Sequence, residues 1–412
     1  MAALRAQVVL NGGVLIDRLG SGGDGLAAEN GRTVAVPFAL PGERVLDGRI
    51  VPSSPDRVEP VCRHFGPEGD RCGNCAVQHL AREPMLLWKR DLVVSAFRRA
   101  GVEARIGETV PVPLRSRRRV AFAVTPDGLG YHRRASAETF TAGECPILVP
   151  EVESNLAPLA RLAHALGHAA MGLVVTACDN GLDVQVVASR PPNDGERRGL
   201  VRLREAPVIR VGVNDEVVVA AETPVVRFGD VSVTPPLGAF LQATRVSQEA
   251  MAALVTEHVG GSKRTADLFA GCGTFALRLP GQVAAFEGDA AALGALEAAA
   301  NAAGRPVACE RRDLHERPLT AAELDRFDAV VLDPPRAGAR AQCEQLAGSR
   351  VARVAYVSCN PATLARDAAA LIEGGHRLRS VTPVDQFLFS AEVEAVALFE
   401  RAKEKRRRPL FG

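Results

Sequence analysis

Lysine is almost missing from this 412-residue chain: only 4 of its 50 cationic residues are Lys, which leaves 46 Arg. Arginine presents a planar fork that suits phosphate and stacks on bases, and a GC-rich genome gives the same skew. Net charge of either sign is lacking too. The 50 cations stand against 48 anions, a formal charge of +2, which excludes a uniformly basic nucleic-acid coat but leaves room for a local basic face. No stretch approaches the ~20 consecutive apolar residues that span a bilayer. The first 13 residues show no secretory apolar region or cleavage pattern, so the sequence predicts a cytoplasmic protein with no membrane association. Apolar residues at 47% and charged residues at 24% exclude a mostly disordered chain. The length predicts two to four domains at about 100 to 200 residues each.

Cysteine is not scarce: there are nine. In a cytoplasmic chain an odd set of this size points to ligands, nucleophiles and buried thiols rather than disulfides.

Along the chain, short β-rich runs (Ala6 to Leu10, Thr33 to Val36, Arg44 to Ile50) alternate with Gly-rich turns, among them Asn30-Gly31. They predict a five-stranded barrel over residues 1–56. A Pro-rich linker follows at 52–60, then a Cys- and Gly-rich loop at 62–75 and a helix from about Arg82 to Arg99. Residues 57–238 read as an α+β domain around a helix near 155–171. From 239 to 412, apolar runs ending near Phe269, Phe286, Cys309, Leu332 and Val357 alternate with helical segments, the signature of a doubly wound α/β sheet. The tail 403–408 is basic and reads as a solvated end.

The run Asp267-Leu-Phe-Ala-Gly-Cys-Gly-Thr274 leaves a strand through two glycines that allow close backbone approach to a ligand. Glu287 ends the next strand, placed to bind both ribose hydroxyls of an adenosine cofactor. There is no third Gly at pyrophosphate spacing and no Walker Lys, so S-adenosylmethionine fits better than NAD or ATP. Asp313 follows the third strand and Asp333-Pro-Pro-Arg336 closes the fourth, so these acids share one crevice.

Arg353-Val-Ala-Tyr-Val-Ser-Cys-Asn-Pro361 is the most specific local signal. Asn360 caps a helix and Pro361 takes its first position, which sets Cys359 beside a helix N-terminus, an environment that favours thiolate. A methyltransferase acting on uracil needs such a group. C5 of uracil is a poor nucleophile until a thiolate adds at C6, and a base must later remove the C5 proton. Asp385 and Glu394 are candidates for that base, and periodicity does not separate Glu394 from Glu392. Cys178, Cys272, Cys309 and Cys343 read as packing residues.

Cys62, Cys72, Cys75 and Cys145 form a C-x9-C-x2-C…C quartet that suits tetrahedral zinc or an iron–sulfur cluster. Residues 98–134 hold nine Arg against three acids. Arg115-Ser-Arg-Arg-Arg119 opens a β-run, which predicts an Arg-lined strand face for RNA phosphates.

Together Ser358-Cys-Asn-Pro-Ala-Thr-Leu-Ala-Arg-Asp367, Asp333-Pro-Pro-Arg-Ala-Gly338 and Asp267-Leu-Phe-Ala-Gly-Cys-Gly resemble the RNA uracil-5-methyltransferase family. The resemblance implies a Rossmann-like methyltransferase domain with Cys359 as nucleophile and Glu394 as base. It implies S-adenosylmethionine contacts at Gln242, within Phe240-Leu-Gln242, and assigns Phe269, Thr274, Glu287, Asp313 and Asp333 to the cofactor or uracil pocket. Before Glu394 the family commonly carries Pro-His-Thr-x-His where this chain has Leu388-Phe-Ser-Ala-Glu392. Cys72-Gly-Asn-Cys-Ala-Val-Gln-His-Leu80 resembles the family's cluster loop, which implies that Cys62, Cys72, Cys75 and Cys145 hold a [4Fe–4S] cluster. The runs Ile16 to Leu26 and Val36 to Val45 resemble the TRAM domain, an OB-like RNA-binding barrel. Members with both features usually modify 23S ribosomal RNA, so that substrate is preferred to tRNA, with the protein acting as a monomer without an obligate protein partner. An RNA-binding iron–sulfur protein without catalysis, an adenine amino-methyltransferase and a cytosine-5-methyltransferase are the competing readings. Arg336 stands where the adenine enzymes place a stacking aromatic.

Overall fold

The computed structural model describes residues 13–401 apart from 30, 48 and 68. The predicted strand Ala6 to Leu10, Asn30 of the predicted turn and the basic tail lie outside the described residues.

At the N-terminus, Val14–Leu15, Arg44–Leu46 and Arg49–Ile50 pair as one three-stranded sheet. Arg18–Leu19, Gly25–Glu29 and Arg32–Val36 form a second. Where a five-stranded barrel was expected, the described strands form two short antiparallel sheets around Val14, Ile16, Ala27, Ala39 and Val45. The predicted linker is pinned down rather than free. Glu43, fully buried, accepts from the Ser54 amide at 3.0 Å and from Arg57 Nε at 2.6 Å, and Arg57 also donates to the Phe38 carbonyl at 2.8 Å.

The helix Arg82–Arg99 buries Met85, Trp88, Lys89, Val93, Ala96 and Phe97, a stripe at helical spacing. Its first half packs with Cys75, Val77 and Phe389, and its second half enters the core of the C-terminal sheet beside Leu364 and Val381. Trp88 Nε1 reaches the Gly20 carbonyl at 3.1 Å. One helix thus ties three regions together.

The central region is a seven-stranded sheet in the order 216–220, 208–213, 182–188, 170–177, 119–125, 128–132, 139–141. It is antiparallel except between Leu182–Ala188 and Val208–Val213. Within the single helical segment predicted near 155–171, only Leu156–His164 is α-helix, and the strand Ala170–Ala177 follows. A second helix, Asp194–Leu203, starts from a capping box in which Asn193 and Glu196 satisfy each other's backbone amides.

The C-terminal sheet contains β1 (Arg264–Leu268), β2 (Gln282–Glu287), β3 (Val307–Arg311), β4 (Ala329–Leu332), β5 (Arg353–Ser358), β6 (His376–Val384) and β7 (Glu394–Arg401), in the order 3-2-1-4-5-7-6. β1 to β5 run parallel, and β7 runs antiparallel between β5 and β6. Both faces are covered, so the strands divide their residues by alternation. Val330, Leu332, Val354 and Tyr356 pack under the helices Arg340–Ala347 and Pro361–Glu373. Ala329, Val331, Ala355 and Val357 pack on the other side, with Arg245–Val259, Ala290–Ala302 and the hairpin 226–233. The order reverses between β1 and β4, which opens a crevice at the C-terminal ends of the strands.

Candidate active site

On one side of the crevice the ends of β1, β2 and β3 meet. Glu287 closes β2 and accepts from the Gly271 amide at 2.8 Å and from the Asp289 amide at 2.8 Å. It thereby fixes the turn after β1 and keeps a free lone pair on each oxygen. Gly271 adopts φ +54°, and a Cβ built there would meet nothing within 4 Å, so the turn faces open space. Asp267 is buried at the end of β1, accepts from the Ala276 amide at 2.7 Å and has its other oxygen unpartnered. Burial holds its carboxyl well above the usual range. Phe269 sits at φ +61° with its ring 5.2 Å from that of His315, and Asp313 accepts from the His315 amide at 2.9 Å. Thr274 lies half-buried in the same turn. An acid at a strand end, a ring beside a second acid and a side-chain-free turn fit the ribose, adenine and methionine parts of S-adenosylmethionine.

Across the crevice, four side chains form a continuous hydrogen-bonded chain. Gln242 Nε2 donates to Asp333 Oδ2 at 3.1 Å, and Gln386 Nε2 donates both to Gln242 Oε1 at 2.8 Å and to Glu394 Oε1 at 3.0 Å. Ser247 Oγ donates to Gln386 Oε1 at 2.6 Å. Desolvation pushes Asp333 up to about 7, with the Gln242 bond pulling the other way. Glu394 is buried and pushed up to about 8, first by desolvation and then by the nearby Asp333 charge; the Gln386 bond and Arg336 oppose this.

Cys359 follows β5 and is half-buried. Sequence reasoning placed it in a thiolate-favouring environment, and the structure reverses that. Burial, then the field of Glu394, raise the thiol from 9.0 to about 11, with Arg336 acting against them. That is a hundredfold loss of ionisation, whereas a helix N-terminus is worth about 1 kcal/mol, less than tenfold. The thiol opens into a cleft of about 440 Å³ whose walls include Arg117, Arg134, Arg336, Phe387 and the cysteine-loop residues Gly73 to Ala76. Arg117 lies over the Phe387 ring at 5.7 Å.

The rest of the Ser358 to Asp367 motif is mortar. Asn360 caps its helix by accepting from Ala362 at 3.1 Å and donates to the Arg336 carbonyl at 3.1 Å. Asp367 accepts from the Ala339 amide at 2.8 Å and from the Tyr356 hydroxyl at 2.7 Å. Gly338 turns at φ +79°, where a Cβ would come within 2.6 Å of Asp367. The Asp333-Pro-Pro-Arg loop is therefore held against the Cys359 helix.

Two further expectations are corrected. Asp385, the alternative base, is fully buried in an ion pair with Lys89, whose ammonium also donates to the carbonyls of Phe387 at 2.7 Å and Glu392 at 3.0 Å. That group holds a loop in place and does not face the cleft. The Arg-lined strand face is also different. Arg118 is buried and donates to the Gln242 carbonyl at 3.1 Å and to Gln248 at 2.6 Å, while Arg119 donates to the carbonyls of Ala239 at 3.1 Å and Gly238 at 3.2 Å. Both clamp the segment that carries Gln242, and Arg117 is the one that reaches the cleft.

Of the four expected ligand cysteines, Cys72 and Cys145 border the core of the central sheet, and Cys75 and Cys145 border the core beneath the long helix. The field of Cys72, Cys145 and Cys62 helps raise Cys75 behind the larger effect of burial, and Cys145 is pushed up to about 11 while hydrogen-bonding Tyr131. Buried nitrogens of His64 and His79 and the Gln78 oxygen in this region have no partner. Among the described residues, no group of three or more His, Cys, Asp or Glu is arranged to hold a metal ion. The loop nonetheless touches the site, because Ala76 and Val77 both donate to the Phe389 carbonyl, at 2.7 and 3.0 Å.

An uncharacterized RNA methyltransferase of Rhizobium meliloti is 46% identical over 413 residues, 95% of this chain and 99% of its own length. The 23S rRNA (uracil(1939)-C(5))-methyltransferase RlmD of Chromohalobacter salexigens is 32% identical over 97% of this chain and 91% of its own. The family model described as tRNA (Uracil-5-)-methyltransferase matches residues 309–402. The chain belongs to the RNA (uracil-5-)-methyltransferase family. The crystal structure of Pyrococcus abyssi tRNA (uracil-54, C5)-methyltransferase, in complex with S-adenosyl-L-homocysteine, shares the fold with a TM-score of 0.72 at 22% identity, over 94% of this chain and 100% of that one. The family segment contains Asp313, Asp333, Cys359 and Glu394. Gln242, Phe269, Thr274, Glu287 and the cysteine quartet lie outside it. Sequence reasoning missed Gln386, Ser247 and His315. Gln386 stood beside Asp385 in plain view, but only its contacts reveal it.

Proposed function

We propose that the protein methylates C5 of uridine in 23S ribosomal RNA, with Cys359 as nucleophile and Glu394 as base. One observation carries this reading: at the C-terminal ends of neighbouring strands a half-buried thiol opens into an Arg-lined cleft, and two buried carboxyls with raised proton affinity, Asp333 and Glu394, lie close enough to act on it. S-adenosylmethionine, when bound along Gln242, Phe269, Thr274, Glu287, Asp313 and Asp333, supplies an electrophilic methyl group. The Cys359 thiol gives up its proton to water in the open cleft, the sulfur bonds C6, and the C5–C6 π electrons shift toward O4 and make C5 nucleophilic. Once C5 is methylated, the Glu394 carboxylate takes the C5 proton, the C–S electron pair returns to sulfur, and the ring double bond is restored. Arg117, Arg134 and Arg336 suit the flanking phosphates.

The C. salexigens relative, whose name gives 23S rRNA as its substrate, aligns along almost the whole chain, and this favours ribosomal RNA over tRNA. The N-terminal sheets fit a TRAM-like RNA-binding module. Cys62, Cys72, Cys75 and Cys145, near enough for the other three to act on Cys75, are the residues that would hold a [4Fe–4S] cluster. The cluster would brace the loop bonded to Phe389.

The test is to mix the protein with 5-fluorouridine-substituted RNA and cofactor. A denaturant-stable adduct forms with the native protein; if Cys359→Ala forms it as well, the mechanism is wrong. Mapping 5-methyluridine in RNA from cells lacking the protein decides the substrate. An intact ribosomal site with an unmethylated tRNA site would reassign it.

A further inference from the structure

Glu394 is an exacting base to position. It is 4% exposed, and it must offer one oxygen to a proton on the nucleobase while the other is held still. The only hydrogen bond to its side chain among the described residues comes from Gln386, itself 2% exposed. The Gln386 amide has every N–H group engaged and its oxygen held. Its two N–H groups go to Glu394 Oε1 and Gln242 Oε1, and its carbonyl accepts from Ser247 Oγ. Ser247 is fixed in turn by Thr244, the cap of helix Arg245–Val259, with Oγ1···Oγ at 2.7 Å. A flipped amide would set its oxygen against two acceptors, Glu394 Oε1 and Gln242 Oε1, so the orientation is determined by its neighbours.

We infer that Gln386 is a positioning residue for Glu394: it holds Oε1, leaves Oε2 as the oxygen that receives the C5 proton, and ties the base to Asp333 through Gln242. The inference rests on the proposed roles of Cys359 and Glu394. A donor on Oε1 also favours the ionised carboxylate, the form able to accept a proton. The other groups that act on Glu394 are Asp333 at the end of β4, Arg336 in the loop beyond it, Glu392 on its own loop, and Cys359 after β5. Asp333 and Glu392 oppose ionisation and Arg336 favours it. Removing Gln386 leaves the two acids against one cation.

The step that needs Glu394 comes after sulfur addition and methylation, so the readout is breakdown of the covalent adduct. Native protein, Gln386→Met and Ser247→Ala are mixed with total RNA from cells lacking this protein and with S-adenosylmethionine. Adduct formation and release are followed by denaturing gel between about pH 6 and pH 9. Gln386→Met is expected to accumulate adduct on ordinary uridine, with release slowed about tenfold near pH 7 and the defect shrinking toward pH 9. Ser247→Ala, which only frees the amide to rotate, shifts release in the same direction by a few-fold and keeps the test open if the Met variant does not fold. Formation and release slowed equally at every pH would mean that Gln386 merely packs, and release at the native rate would remove its role altogether; either result overturns the inference. Absence of an adduct on 5-fluorouridine RNA with native protein would instead overturn the reading of Cys359.

Discussion

On the cofactor side of the crevice, Asp267, Phe269, Glu287 and Asp313 lie at the ends of successive strands of one sheet, and their partners, backbone amides or a ring, all come from that same sheet's strand-end turns. On the nucleobase side, Cys359 shares its cleft with Gly22 of the N-terminal unit, Asn74 of the cysteine loop and Arg117 of the central sheet, and Lys89 of the long helix holds the loop that precedes Glu394. The first side is a local product of the α/β sheet. The second exists only when all parts of the chain are docked. A shared cofactor half and a composite substrate half let one sheet keep its methyl donor while the other regions choose the RNA.

The sharpest way to break this contrast is Cys359→Ala. Methyl transfer should fall by about four orders of magnitude or more, while calorimetric affinity for S-adenosylmethionine stays within about twofold. A large loss of cofactor affinity would show that the two sides are not separate. Glu287→Ala is the mirror experiment, with cofactor affinity reduced about tenfold to hundredfold and RNA affinity unchanged in filter binding. The arginines sharpen the comparison within one strand. Arg117→Ala should lower RNA affinity a few-fold and reduce the salt slope by about 1. Arg118→Ala should leave that slope alone and cost about 1 to 3 kcal/mol of stability by unsatisfying the buried Gln242 carbonyl and Gln248.

The smallest effect is on stability against pH. Glu394 has a folded value of about 8 against an ordinary 4.5, so the folded state binds the extra proton between those values and loses stability as pH rises through that window. Glu394→Gln should therefore melt higher than native protein near pH 8 and about equal to it near pH 4. An equal gain at both would place its cause elsewhere.

The same contrast explains what could be read from sequence. The parallel sheet, the turn after β1 and the helix start at Asn360-Pro361 are local patterns of period and capping, and they lie where the pattern puts them. Glu394 was separable from Asp385 only through Lys89, which is 296 residues away from Asp385 along the chain. The orientation of Arg118 and Arg119 depends on a segment 120 residues later, and alternation along a strand cannot reveal which guanidinium meets a carbonyl and which meets solvent. The Cys359 environment failed for a related reason: the helix end is visible in sequence, but the carboxyls that oppose ionisation arrive from β4 and β7.

Lys89 supplies one more consequence. A fragment starting at residue 239 would contain every strand of the methyltransferase sheet and most of the proposed cofactor pocket, yet Asp385 would be left without Lys89, the cation it is paired with. An unpaired buried carboxylate costs about 3 to 5 kcal/mol, so the 385–392 loop would have to open to water, taking Gln386 with it. Such a fragment would keep the hydrogen-bonded turn after β1 and lose the ordered loop that carries Gln386. Insertions, fusions and domain exchanges in this enzyme therefore have to keep the helix Arg82–Arg99 together with the sheet it serves, however far apart the two lie in the gene.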